Sequence, residues 1–286
     1  MTLLSAQAGH WTSDGTGVTV ILPPPGTVAS GEIRGGAPAT REFALLKPTR
    51  LVDRVDAVVL SGGSAFGLAA GDGVMRLLRS KGMGFPTPAG PVPIVVGLSL
   101  FDASVATLNR PDFAEGGRLA AQAALDGVPF ATGRVGAGTG AATGKWRERL
   151  DPAGLGLAEG RAGEATVVAL AAVNAWGDII GPDGRPQTAP DETRTAPAPS
   201  PFPTANTTIA VVLTNAKLDK VACHWLAQSA HTGFARSLHP AHTRYDGDAV
   251  VALATGELDT PVDLEHLRAV TSDVMAAAIR SATSAS

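Results

Sequence analysis

The strongest constraint in this chain is a junction. Gly181 to Asn206 contains PDGRPQTAPDETRTAPAPSPFP, a proline-rich polar run that cannot form a core element and reads as a mobile linker. It meets Thr207-Thr208-Ile209-Ala210-Val211-Val212-Leu213-Thr214-Asn215-Ala216, a β-branched run free of glycine and charge that predicts a strand. Taken alone, the stretch is a linker feeding a buried strand. A structureless loop of that length inside a compact domain is, however, usually functional or disordered, and here it reads as both. If the peptide bond before Thr207 is cut, that residue carries a hydroxyl and an α-amine, a nucleophile and a base in one residue.

The rest of the chain supplies strands and helices in irregular alternation. Gly17 to Pro23 alternates as a strand, and Val55 to Leu60 is apolar enough to be covered on both faces. Ser64 is placed to N-cap a helix from Ala65 to about Lys81, with Phe66, Ala70, Val74, Leu77 and Leu78 on one face. Pro91 to Asp102 predicts a further strand, and Pro111 to Asp126 a helix with proline in a tolerated first turn. Ala165 to Asn174 is an apolar strand that ends on an asparagine. After Ala216, Asp219 can cap a helix carrying Val221, Ala222, Trp225 and Leu226. Ala249 to Leu253 reads as a strand, and an amphipathic helix over about Pro261 to Ala282 closes the chain. Leu264, Leu267, Val270, Val274 and Ala278 lie along its stripe. Sheets covered by helices, α/β or α+β, follow from this order. The paired glycines in Arg34-Gly35-Gly36-Ala37-Pro38 let backbone pass close to another segment.

Composition excludes several functions. A net charge of -3 without a Lys/Arg cluster argues against nucleic acid. The single cysteine, Cys223, rules out an internal disulfide framework, suits a reducing cytosol and reads as a small buried hydrophobe. No signal peptide or run of 18 apolar residues is seen, so a cytoplasmic protein with no membrane association is expected. Six histidines without HExxH-like spacing argue against a metal site. The glycine-rich stretch Gly133 to Trp146 suggests a phosphate cradle but lacks its chemistry. Thr139 stands where a P-loop needs glycine, Trp146 where it needs Ser or Thr, and no strand clearly leads in.

Taken together, several segments resemble one family. They are GHWT (Gly9 to Thr12), RGGAP (Arg34 to Pro38) with Thr40-Arg41-Glu42, and LSGGSAFGL (Leu60 to Leu68). To these are added GRVGAGTGA (Gly133 to Ala141) with Gly144-Lys145-Trp146, NAWGD (Asn174 to Asp178), and NTTIAVVLTNA (Asn206 to Ala216). The chain is similar, nearly end to end, to the autoprocessing hydrolases that include L-aminopeptidase/D-esterase, the β-peptidyl aminopeptidases and the 6-aminohexanoate-oligomer (nylon oligomer) hydrolase.

The resemblance implies a four-layer αββα sandwich like that of N-terminal-nucleophile hydrolases. It implies one domain, 1–286, that cuts itself between Asn206 and Thr207 into chains 1–206 and 207–286, with the tail from about 181 to 206 left slack. The two chains stay together and assemble further, as a tetramer of such heterodimers. Thr207 is the implied nucleophile, Lys145 the active-site lysine, Asn174 the oxyanion donor, and Asp246 with Asp248 the paired oxygen-bearing residues after the nucleophile. No cofactor or metal is implied. Residues two apart in a strand face one way, which would aim both carboxylates at one site. The chain departs from the family at Phe101, where relatives often carry a tyrosine that could polarise a substrate carbonyl. The Asp-Gly-Asp, the threonine nucleophile and GHWT lean towards hydrolysis of linear 6-aminohexanoate-type amides. An aminopeptidase or esterase acting on short or β-linked peptides, or an uncut binding protein without activity, stay open.

Overall fold

Strands that are apolar on every residue need cover on both faces, and the fold supplies it. A computed structural model describes residues 3–106, 111–188 and 206–283. Its first strands are β1 (Gln7–Ser13), β2 (Thr16–Leu22), β3 (Val28–Ile33), β4 (Ala39–Arg41), β5 (Ala57–Ser61) and β6 (Val95–Ser99). Short pieces β7 (Ala142–Thr143) and β8 (Asp151–Pro152) precede β9 (Leu155–Ala162), β10 (Ala165–Asn174) and β11 (Asp178–Ile179). Then come β12 (Thr207–Ala216), β13 (Leu238–His239) and β14 (Ala249–Leu258). The helices are α1 (Ala70–Ser80), α2 (Phe113–Leu125), α3 (Lys220–Ser237) and α4 (Leu264–Ser281).

Two five-stranded sheets form, in the orders β1-β2-β5-β6-β4 and β3-β14-β12-β10-β9. Between them Val58, Leu60, Val96 and Leu98 of the first sheet pack with Val168, Leu170, Val211, Leu213 and Val251 of the second. On the outer face of the first sheet, Val18, Val20 and Val59 pack with Val74 and Leu78 of α1 and Phe113 and Ala120 of α2. On the outer face of the second, Val167, Val212 and Val250 pack with Phe234 of α3 and Met275 and Ile279 of α4. Along β12, Ile209, Val211 and Leu213 face the other sheet while Ala210 and Val212 face the helices. The result is the expected four-layer αββα sandwich.

Several element boundaries differ from the sequence reading, each for a local reason. Ser64 does not cap an α-helix: it takes φ +54° and opens a 3-10 segment, Ser64–Ala69, so α1 begins only at Ala70. Phe66 is 49% exposed and leaves the buried face that Ala70, Val74, Leu77 and Leu78 form. Between Pro91 and Asp102 the strand shrinks to Val95–Ser99, since Pro91 and Pro93 have no amide to give a ladder. Pro111 lies ahead of α2, whose cap is Asp112, accepting from the Glu115 amide. Asp219 does cap α3, accepting from the Ala222 amide, but Val221 and Trp225 turn outward while Ala222 and Leu226 are buried. Cys223 is buried with its thiol pushed up to about 12 by burial, an inert core group.

Residues 181–188, counted above with the slack tail, form a turn in which the Gly181 amide donates to Arg185 O and the Gln187 amide to Ile179 O. Residues 189–205 lie outside the described residues. None of the described helices is long and apolar enough to cross a membrane.

Candidate active site

β12 lies inside its sheet, antiparallel to β10 and parallel to β14. Its first residue, Thr207, is in register with Asn174, the last residue of β10. Because β14 runs parallel and pairs Ala249 with Ile209, the loop before β14 arrives at the same end of the sheet. Sheet topology alone therefore gathers residues 174, 207 and 246–248. Asn206 and Thr207 are buried there, at 2% and 3% exposure.

The Thr207 hydroxyl oxygen accepts from the Gly247 amide at 3.1 Å. Asp246 and Asp248 precede β14 rather than lying in it, and their carboxylates take different partners. Asp246 accepts from the Trp176 amide at 3.2 Å and from the Thr243 amide and hydroxyl at 3.1 and 2.5 Å. Asp248 accepts from the Thr208 amide at 2.8 Å and from the His242 amide and Nδ1 at 3.1 and 2.8 Å. The strand-like pairing of two carboxylates on one face is thus replaced by a loop in which one braces a turn and the other braces the strand behind Thr207.

The paired glycines of RGGAP strap this loop down. Arg34 and Gly35 amides donate to Asp248 O, and the Ala37 amide donates to Asp246 O. A Cβ on Gly35 would stand 2.3 Å from both Asp246 O and the Asp248 nitrogen, so only glycine permits the approach.

Lys145 reaches the site from the turn that follows the glycine-rich stretch. Its ammonium donates to Asn174 Oδ1 at 2.7 Å and Asn174 O at 3.0 Å. Burial pulls its pKa down to about 7, against the opposing pull of the Asp246 and Asp102 charges. Burial and the neighbouring Asp248 charge raise Asp246. The turn is held by the buried Asp178, which accepts from Trp146 Nε1 at 3.0 Å and pairs with Arg147 at 3.0 Å. The Gly144 and Trp146 amides also donate to Gly177 O and Trp176 O.

Asn174 is satisfied on both sides of its amide: Oδ1 also accepts from the Ala142 amide, and Nδ2 donates to Phe101 O at 2.8 Å. Phe101 thus meets the site through its carbonyl. The next residue, Asp102, escaped the sequence reading. It is 2% exposed and accepts from Thr16 Oγ1 at 2.5 Å, from Ser104 Oγ at 2.5 Å and from the Gly63 amide at 3.2 Å. An aspartate ending an apolar strand was the signal, since a buried carboxylate requires such a set of donors.

The glycine-rich stretch is scaffold. The Gly136 and Ala137 amides donate to Thr12 and Thr19 hydroxyls, and the Gly138 and Thr139 amides to Val135 O and Gly136 O. Amides spent this way do not cradle a phosphate.

One prediction arises from this packing. A Cβ at residue 247 would lie 2.6 Å from Thr207 Oγ1 and 2.8 Å from Ala37 O. Gly247→Ala is expected to fold yet to slow any reaction of the Thr207 hydroxyl by about 10²-fold, because a small misplacement of a reacting atom costs that much. A rate assay beside a melting curve separates the two effects.

Comparisons with known proteins agree with this architecture. The model of peptidase family S58 matches residues 5–286. An uncharacterized aminopeptidase of Mycobacterium leprae is 42% identical over 288 residues, 92% of this chain and 78% of the relative. A 6-aminohexanoate-oligomer endohydrolase of Agromyces is 30% identical over 301 residues, 95% of this chain and 81% of the relative. Among solved structures, the L-aminopeptidase D-Ala-esterase/amidase of Ochrobactrum anthropi, described as a variant of the Ntn hydrolase fold, superposes with a TM-score of 0.71. That match has 19% identity and covers 98% of this chain and 84% of the other.

Proposed function

The chain belongs to peptidase family S58, and from that premise we propose an autoprocessing amide hydrolase with Thr207 as its nucleophile. The observation that supports this most is a buried threonine hydroxyl at the end of an inner strand, held by the Gly247 amide. Beside it stand Asn174, in register, and Lys145, bonded to Asn174.

In a single self-directed turnover, Thr207 Oγ attacks the Asn206 carbonyl and the Asn206–Thr207 C–N bond breaks. The proton of the hydroxyl passes to the freed nitrogen, an ester forms, and water hydrolyses it. The freed α-amine, with an ordinary pKa of about 7.7–8.0, is then neutral often enough to serve as base. In turnover the same hydroxyl attacks a substrate amide, and water clears the acyl-enzyme. The Lys145 ammonium stabilises the negative charge that develops on the carbonyl oxygen, and Asn174 donates to it.

The cut leaves a small chain that cannot easily depart. β12 and β14 would belong to it, yet β12 bonds to β10 and β14 to β3 of the large chain, and the core between the sheets is shared.

For substrate, the Asp-Gly-Asp loop and the relative named as an oligomer endohydrolase favour linear 6-aminohexanoate-type amides. A second reading, an aminopeptidase on short or β-linked peptides, is favoured by the higher identity to the mycobacterial relative named as an aminopeptidase. Chromatography of products from both substrate classes separates the two. Internal fragments of an oligomer support the first, and residues released only from the amine end support the second. No hydrolysis of either by fully cut protein would refute both.

A further inference from the structure

Resting on the reading of Thr207 as nucleophile, we infer that His242 is a positioning residue for it, acting through Asp248. His242 lies in the loop between β13 and β14, half-buried against α3. Its ring stacks on Phe234 at 5.5 Å and meets His231 edge-on at 4.8 Å. From that fixed seat it addresses Asp248 twice, through its backbone amide at 3.1 Å and Nδ1 at 2.8 Å. For Nδ1 to donate to that carboxylate it must carry a proton.

Both His242 donors fall on Asp248 Oδ2, which leaves Oδ1 for the amide of Thr208, the residue after the nucleophile. Asp248 is 1% exposed and water cannot replace a missing donor there. The Gly247 amide that holds Thr207 Oγ1 lies between the two aspartates on the same backbone. A chain of contacts thus runs from α3 through His242 and Asp248 to Thr208, and it fixes where the Gly247 amide points. His242 itself makes no hydrogen bond to Thr207 among the described residues, which is why its role is to position and not to react.

The backbone of His242 adds a second mark of constraint. Its φ is +55°, a left-handed conformation uncommon outside glycine, in which asparagine, aspartate and histidine are the better tolerated side chains. A structure that needed only a turn here would do better with glycine.

That conformation also supplies the test. His242→Gly and His242→Asn both accept the backbone, and both lose the ring that packs on Phe234. They differ in one respect: asparagine keeps a side-chain N–H close to where Nδ1 stood. Self-cleavage is followed by denaturing electrophoresis on the full chain, and hydrolysis of a linear amide is measured after cutting is complete, with kcat and KM separated.

The glycine variant is expected to lose about 10²-fold in cleavage rate and in kcat with little change in KM, and the asparagine variant to regain most of it. Equal rates for wild type and His242→Gly overturn the proposal, as do equal losses in the two variants, which would mark a packing role. Should the glycine variant fail to fold, His242→Ala replaces it: no side-chain donor and no added charge, expected to be slow where His242→Asn is not. A wild-type chain that never cuts and never hydrolyses would instead sink the Thr207 reading itself, a result distinct from either.

Discussion

Thr207→Ala is expected to yield one uncut chain with no hydrolytic activity. The substitution removes a single oxygen and a methyl group. It leaves the Gly247 amide without its acceptor, a local cost of about 1–3 kcal/mol that a domain with three continuous core clusters absorbs. The expected effect on chemistry is far larger, because in the proposed mechanism the hydroxyl is the attacking atom both in the cut and in turnover. Loss of a nucleophile costs roughly 10⁴-fold or more. Thr207→Ser keeps the oxygen and is expected to cut, at a reduced rate, since the β-methyl that fixes its rotamer is gone. Electrophoresis at intervals after purification, with circular dichroism as the folding control, reads both variants. An alanine variant that cuts at the same peptide bond contradicts the assignment.

Lys145→Met gives the second large effect. Methionine matches the length of the stem and removes the ammonium. Asn174 Oδ1 then keeps the Ala142 amide but loses the ammonium, and Asp246 and Asp102 lose a neighbouring cation. Without that charge at the developing oxyanion, cutting and turnover are expected to fall by about 10²–10³-fold while the fold holds.

The same residue leaves a signature in stability. Its folded pKa, about 7, lies below the ordinary 10.5, so the native chain binds fewer protons than the unfolded chain between those values. Stability therefore rises with pH from about 7 to about 10.5, with a slope of at most about 1.4 kcal/mol per pH unit from this group, and the destabilisation is fully present below that window. In a Thr207→Ala background, urea titrations at pH 7 and 9.5 are expected to show this rise. Adding Lys145→Met should remove it. An unchanged rise would mean that another group carries the titration.

The parts of the fold legible in the sequence are those that bury both faces. Ala165–Asn174 and Thr207–Ala216 were readable to the residue because no glycine, proline or charge interrupts them and each ends at a change of chemistry. The entry to α1 was not, because its geometry is set by close packing elsewhere: a Cβ on Gly62 would strike Asp102 Oδ2, and one on Gly67 would strike Gly62 O. A capping rule sees Ser64 and cannot see those contacts.

In the site, Lys145, Asn174, Thr207, Asp246 and Asp248 come together; for Asn174, Thr207 and the aspartates the gathering follows from sheet order, while Lys145 is carried in by a turn bonded to residues 176–178. The division of labour between the aspartates was not legible. Spacing of two implies one face only inside a strand, and β14 begins at Ala249, after both aspartates. Asp102 and His242 were missed because their roles lie in the partners they gather, which strand and helix periodicity do not report. Each is recognised only when the donors around a buried carboxylate are traced.

The central claim is that this chain becomes an enzyme by severing itself before Thr207. N-terminal sequencing and intact mass of freshly purified, active protein test it most directly. Two chains are expected, the smaller starting at Thr207. Fully active material whose sole N-terminus is Met1 would contradict the account.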